Sequence, residues 1–155
     1  RMAANYENNF PLAYNNMGSV KIALGDYAGA VADYSVAVKL DPDFYIAYNN
    51  RGAAKYYLGQ PDSAIIDFDK AISMQQDYLP AMNNKAATLS KNSNYTEAIV
   101  LFNQVVASDN TFGKAFLNRG LVREMTGDLE GACTDWKKAL ELGVSEAEQY
   151  IKECK

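Results

Sequence analysis

Residues 11–44 read PLAYNNMGSVKIALGDYAGAVADYSVAVKLDPDF, and the same pattern returns three more times without a gap, beginning at Tyr45, Leu79 and Gly113. The period is 34 residues, and self-similarity at a fixed period of this size marks a stacked-repeat architecture. Position 3 of every copy is alanine (Ala13, Ala47, Ala81, Ala115) and position 4 is large (Tyr14, Tyr48, Met82, Phe116). Position 8 is small (Gly18, Gly52, Ala86, Gly120), position 20 is alanine (Ala30, Ala64, Ala98, Ala132), and position 24 is aromatic (Tyr34, Phe68, Phe102, Trp136). Within each half of a copy the apolar residues follow helical spacing. The halves are separated at position 15 by Gly25, Gly59, Ser93 or Gly127, each followed by a candidate N-cap: Asp26, Gln60, Asn94 or Asp128. Pro61 suits the first turn of a second helix, and Asp41-Pro42 ends one. Each copy is therefore predicted to be a helical hairpin. Small residues at positions 8 and 20 let its two helices approach, and the bulky positions 4 and 24 fill the space beside them.

The pattern large-4, small-8, alanine-20, aromatic-24, alanine-27, proline-32 over residues 11–144 resembles the tetratricopeptide repeat (TPR) family. That resemblance implies an all-α, right-handed α-α superhelix (solenoid) whose first helices line a concave side and whose second helices form the convex side. Two departures are local: Val105 stands at an alanine position, and only Pro42 keeps the proline. The expected divisions are repeats at 11–44, 45–78, 79–112 and 113–146. Residues 1–10 align with the end of a preceding, truncated repeat, so the natural chain is expected to begin upstream of Arg1 and to end at Lys155. Residues 147–155 form a capping helix that starts near 145, where Ser145 and Glu148 make an S-x-x-E capping box. Tyr150 and Cys154 then fall on positions 4 and 8 of a fifth unit, under a polar exterior that a solenoid end requires.

Composition excludes more than it selects. The 155 residues are 48% hydrophobic and 22% charged, which describes a folded domain. Fifteen Lys and Arg against nineteen Asp and Glu give a net charge of −4, so no global positive field collects nucleic acid or anionic membrane. Histidine is absent, which removes His-based acid/base and nucleophile pairs and His zinc sites. No phosphate-binding glycine loop, HExxH or CxxC occurs. Acidic neighbours such as Asp67 and Asp69 fit solvated surface, and the sequon at Asn94 is already used as a helix cap. No catalytic residue, metal ligand or cofactor is therefore assigned, and the chain is read as not an enzyme. Cys133 and Cys154 suit either redox compartment as one possible pair, so localisation stays open, with a targeting sequence possible upstream. No apolar run is long enough to span a bilayer.

The first helices carry Lys21, Arg51, Lys55, Lys85, Lys91, Lys114, Arg119 and Arg123 against one acid, Glu124, which invites a basic groove. Position argues otherwise, since six of the eight cations sit at positions 7 and 11, off the stripe 2, 5, 6, 9, 12, 13 that the family turns inward. Position 23 is Asp33, Asp67 or Asp135 wherever position 11 is Lys21, Lys55 or Arg123, and repeat 3 replaces both by Leu89 and Leu101. Exchange of a charge pair for a leucine pair predicts ion pairs between neighbouring helices. The inward stripe itself is rich in amides: Asn15, Asn49 and Asn83 at position 5, and Asn16, Asn50, Asn84 and Asn118 at position 6, with Tyr56, Tyr57, Lys91 and Lys114 beside them. The lysine and arginine positions by which TPR cochaperones clasp a C-terminal carboxylate read Asn15, Pro80 and Asn84 here, or Asn49, Lys114 and Asn118 in the next frame, and only Lys114 agrees.

The resemblance implies a protein interaction scaffold that takes an extended peptide or a partner's helix in the concave groove, the position 6 carboxamides holding backbone groups and Tyr56 and Tyr57 acting as apolar anchors. The alternative is a spacer or oligomerisation segment of a larger bacterial envelope or secretion-type assembly with an empty groove. The expected partner is a protein or peptide, not nucleic acid, without membrane insertion; its identity and the oligomeric state are not encoded here.

Overall fold

The computed structural model describes residues 10–152 and 154, which are helical apart from short turns, with no strand among the described residues. Four hairpins follow in order: α1 (Phe10–Ala23) with α2 (Tyr27–Leu40), α3 (Tyr45–Tyr57) with α4 (Pro61–Met74), α5 (Leu79–Lys91) with α6 (Tyr95–Ser108), and α7 (Gly113–Met125) with α8 (Leu129–Glu141). A 3₁₀ turn at Ser145–Ala147 and a short α9 at Glu148–Ile151 complete the described chain. The reading of residues 1–10 as a repeat remnant falls outside the described residues, except Phe10, which opens α1.

The turns inside the hairpins close as the sequence requires. Gly25, Gly59 and Gly127 adopt φ of 78°, 73° and 89°, and Ser93 takes the same left-handed conformation at 63°. Asp26 and Asp128 cap α2 and α8 by accepting from Gly29 N and Gly131 N at 2.8 and 2.9 Å. Asn94 differs from expectation: its carboxamide donates to Glu97 at 3.0 Å and makes no cap to the backbone. Pro61 is the first residue of α4.

The chain forms two compact units, residues 1–84 and 85–155. In the first, α1 packs on α2, α3 on α4, and α2 on α3. Alanines at positions 20 and 27 (Ala30, Ala37, Ala64, Ala71) are fully buried, and so are Ala47 and Ala54 on α3. Two apolar clusters result, Ala30, Tyr34 and Ala54 with Ile22 and Val31, and Ala37, Val38 and Ala47 with Tyr14, Phe44 and Tyr48. The pairing of small position 8 with aromatic position 24 is direct: a Cβ on Gly18 would lie 2.7 Å from the Tyr34 ring, and one on Gly52 would lie 2.7 Å from the Phe68 ring. Gly52→Val is therefore expected to lower stability by about 2 kcal/mol through forced separation of α3 from α4, measured as a shift of the urea midpoint. Gly52→Ala adds only that Cβ and should cost less than valine, since repeat 3 carries Ala86 at this position.

In the second unit, α7 packs on α8 and on α6. Trp136 and the alanines 132, 139 and 147 form a buried cluster with Phe116, Leu121, Val144, Tyr150 and Ile151 against it. The C-terminal segment is held to α8 by a Cys133–Cys154 disulfide across 21 residues and by Tyr150 stacked on Trp136 at 5.1 Å. The expected capping box does not form. Val144 occupies the N-cap position without a side-chain bond, and the segment starts as a 3₁₀ turn with Ala147 fully buried.

Candidate functional site

Sorting the charges on the first helices decides what kind of surface they present. Asp67 is 2% exposed, and Arg51 grips it with two parallel bonds, Nε to Oδ2 at 2.8 Å and Nη2 to Oδ1 at 2.7 Å, while Lys55 Nζ lies 2.7 Å from Oδ2. Asp135 is 1% exposed and is held the same way by Arg119 at 2.8 and 2.6 Å and by Arg123 at 2.9 Å. Buried carboxylates demand this pairing. Asp67 is thus not a solvated surface acid as its neighbourhood in sequence suggested. Its hydrogen bonds raise the Arg51 pKa against the opposing effect of burial, so the guanidinium stays charged. In repeat 1 position 7 is Met17, and Asp33 has Lys21 Nζ at 2.7 Å from Oδ2, close in distance though not aligned as a hydrogen bond.

Each aspartate therefore pairs inside its own repeat. The position 7 arginines also reach back, Arg51 to Ser35 at 3.3 Å and Arg119 to Asn103 at 2.8 Å. In repeat 3 Leu89 is buried where the cation would be, and Lys85 has moved its partnership to Glu97 at 3.7 Å. The cations at positions 7 and 11 are committed to structural ion pairs, which removes the basic groove.

The asparagines divide into two roles. Asn15, Asn49 and Asn83 are each 6% exposed. Asn50 Nδ2 donates to Asn15 Oδ1 at 2.9 Å, and Asn84 Nδ2 donates to Asn49 Oδ1 at 3.0 Å, so position 6 of one repeat hangs on position 5 of the repeat before it. Asn49 Nδ2 lies 3.4 Å from Asn50 Oδ1. A carboxamide carries two N–H donors and an oxygen with two lone pairs. After these bonds Asn50, half-buried, still offers one N–H and one lone pair in a fixed orientation, and Asn16 is exposed on α1. The sequence announced this pairing only as a spacing of 35, one more than the period, which is easily passed over.

Beside the carboxamides, positions 9 and 12 of repeat 1 and 6 and 9 of repeat 2 surround a hollow of about 210 Å³ lined by Ser19, Ile22, Tyr34, Asn50 and Ala53. Tyr57, 57% exposed, stacks on Tyr27 at 4.9 Å and meets Tyr56 edge-on at 5.6 Å. Tyr27 was not singled out from sequence, because it opens a second helix. Lys91 ends α5, and Lys114 and Asn118 stand on α7; all three belong to the second unit, the lysines exposed and Asn118 half-buried. Among the described residues no cluster of carboxylates or thiols is placed to hold a metal ion, and no helix is long and apolar enough to cross a membrane.

Comparison with known proteins agrees with the fold. A TPR repeat model matches residues 18–59 and a tetratricopeptide repeat model matches residues 45–78. No curated protein shows significant sequence similarity to the chain. Among solved structures, that of MamA superposes with a TM-score of 0.76 at 22% identity, covering 95% of this chain and 86% of that one. The first TPR of Spaghetti (RPAP3) bound to the HSP90 peptide SRMEEVD superposes with a TM-score of 0.73 at 18% identity, covering 77% of this chain and 94% of that one. The Arabidopsis OM64 TPR domain gives 0.73 at 20% identity, with 77% and 98% covered. Residues 18–78 match tetratricopeptide repeat models, and the described chain has the fold of a tetratricopeptide repeat solenoid.

Proposed function

We propose that this chain is a non-catalytic interaction scaffold whose first helices bind an extended peptide, or a partner's helix, along the asparagine face. The observation that carries the reading is Asn50, pinned by Asn15 at 2.9 Å and left with one donor and one acceptor at the hollow that it lines. An amide held in one orientation matches a peptide unit of the opposite donor and acceptor order without reading its side chain. The peptide-bound RPAP3 repeat domain supports this use of the fold. Its acidic peptide does not transfer, because Asn15, Ser19, Pro80 and Asn84 stand where a carboxylate clamp needs its polar and basic set.

The test is the affinity of a peptide or partner fragment after Asn50→Ala and Asn84→Ala together, measured at a temperature where both proteins are folded. Binding should weaken by about 1 kcal/mol for each lost amide. Because Asn50 and Asn84 also bond Asn15 and Asn49, stability will fall somewhat as well. Asn15→Ala removes the pin and keeps the ligand-facing amide, so it should lower stability while weakening binding by less than the double variant does. Unchanged affinity in the double variant means that the partner uses another face.

A further inference from the structure

The hollow between α1, α2 and α3 differs chemically from the matching place in the other repeats. Ser19 Oγ and Tyr34 Oη are 3.1 Å apart at its floor. Positions 9 and 24 elsewhere hold Ala53 with Phe68, Ala87 with Phe102, and Leu121 with Trp136, so repeat 1 alone carries two hydroxyls there. Their protons can be placed. Ser19 donates to the Asn15 carbonyl at 3.1 Å, which leaves its oxygen to accept from Tyr34. The Tyr34 proton is then used inside the protein, which leaves its oxygen as an acceptor on a residue that lines the hollow. Burial raises the Tyr34 pKa, and the nearby Asp33 adds to that rise, so the hydroxyl stays neutral at ordinary pH.

The walls, Ile22 and Ala53, are apolar, and no charged side chain lines the space. Lys21 and Asp33, which adjoin the lining residues Ile22 and Tyr34 in the chain, are occupied with each other at 2.7 Å, and Arg51, which adjoins Asn50, is held by Asp67 at 2.7 Å. An ionised guest would lose its hydration and find no counter-charge. A purely aliphatic guest would leave the Tyr34 oxygen unsatisfied once water is displaced. We propose that this hollow is a side-chain pocket that takes one uncharged, hydrogen-bond-donating side chain, a hydroxyl or carboxamide residue, from a peptide whose backbone lies along Asn50. The proposal rests on the groove reading above and adds a sequence preference to it.

The experiment uses a library of random linear twelve-residue peptides displayed on phage and selected on the whole chain. Selected peptides are then titrated against the wild type, Tyr34→Phe, and Asn50→Ala with Asn84→Ala. Tyr34→Phe keeps the ring and is compatible with the fold, because Phe68 and Phe102 occupy the same repeat position. The expected result is one position restricted to Ser, Thr, Asn or Gln, with affinity for such peptides about fivefold weaker in Tyr34→Phe. The same variant should leave unchanged the affinity of a peptide with alanine at that position. Selected peptides that carry an acidic or aliphatic residue there, or that bind Tyr34→Phe as tightly as the wild type while losing affinity for the asparagine double variant, overturn the pocket and leave the groove standing. Failure to select any peptide, or peptides indifferent to both variants, overturns pocket and groove together.

Discussion

Asp67→Ala is expected to destabilise residues 1–84 by about 3 to 5 kcal/mol, the range for removing one partner from a buried charge cluster. Arg51 and Lys55 converge on this carboxylate with their own side chains only 18% exposed, so both charges would be left in a poorly hydrated site. The urea midpoint should fall accordingly, with the helical signal at zero denaturant retained if enough stability remains. Repeat 1 supplies the counter-experiment. Its pair, Lys21 with Asp33, has no position 7 cation because Met17 stands there, and repeat 3 fills the same two positions with Leu89 and Leu101. Lys21→Leu alone strands a carboxylate that is 10% exposed. Lys21→Leu combined with Asp33→Leu should restore most of that loss, since paired apolar side chains of similar volume replace a buried ion pair at little net cost. A double variant as unstable as the single one would show that the aspartates serve something other than charge pairing.

Reduction of Cys133–Cys154, or Cys133→Ser with Cys154→Ser, should lower the stability of the C-terminal unit by about 3 kcal/mol. That figure is the loop-closure entropy that a cross-link over 21 residues removes from the unfolded chain. The disulfide fastens a short final segment whose helical part spans only Glu148–Ile151, too little to hold itself in place. Trp136 reports on the event, being the sole tryptophan, 3% exposed and stacked under Tyr150. A reductant should lower the unfolding midpoint and move Trp emission to longer wavelength, and the serine double variant should respond to neither. A midpoint indifferent to reductant would mean that packing around Ala147 and Tyr150 holds this segment without the cross-link.

Much of the fold was legible because its determinants are local and repeated. Glycine or its αL substitute Ser93 at position 15, alanine at 20 and an aromatic at 24 each state a steric requirement that recurs every 34 residues. The ion pairs were legible for a related reason: Asp33, Asp67 and Asp135 vary together with position 11, and repeat 3 changes both. What the repeat register conceals is contact between different positions of neighbouring repeats. Asn50 on Asn15 and Tyr57 on Tyr27 are such contacts, and neither leaves a mark within a single aligned column. The last segment misled for another reason. Ser145 and Glu148 satisfy a local capping rule, but the backbone there is a 3₁₀ turn that buries Ala147, in a segment tied to Cys133, and tertiary contacts of this kind leave no mark in the local pattern.

On the first helices of residues 10–84 the cations Lys21, Arg51 and Lys55 are held in ion pairs, leaving carboxamides, hydroxyls and tyrosines as the polar groups that can meet a ligand there. Side-chain amide resonances report on that most directly. In ¹H–¹⁵N correlation spectra of the whole chain titrated with a selected peptide, the Nδ2 signals of Asn16, Asn50 and Asn84 should shift in step with saturation. The backbone amide of Ile66, 68% exposed on α4, should stay in place. Saturable shifts around Ile66 with the asparagine carboxamides unmoved would contradict the groove and place the partner on the second helices.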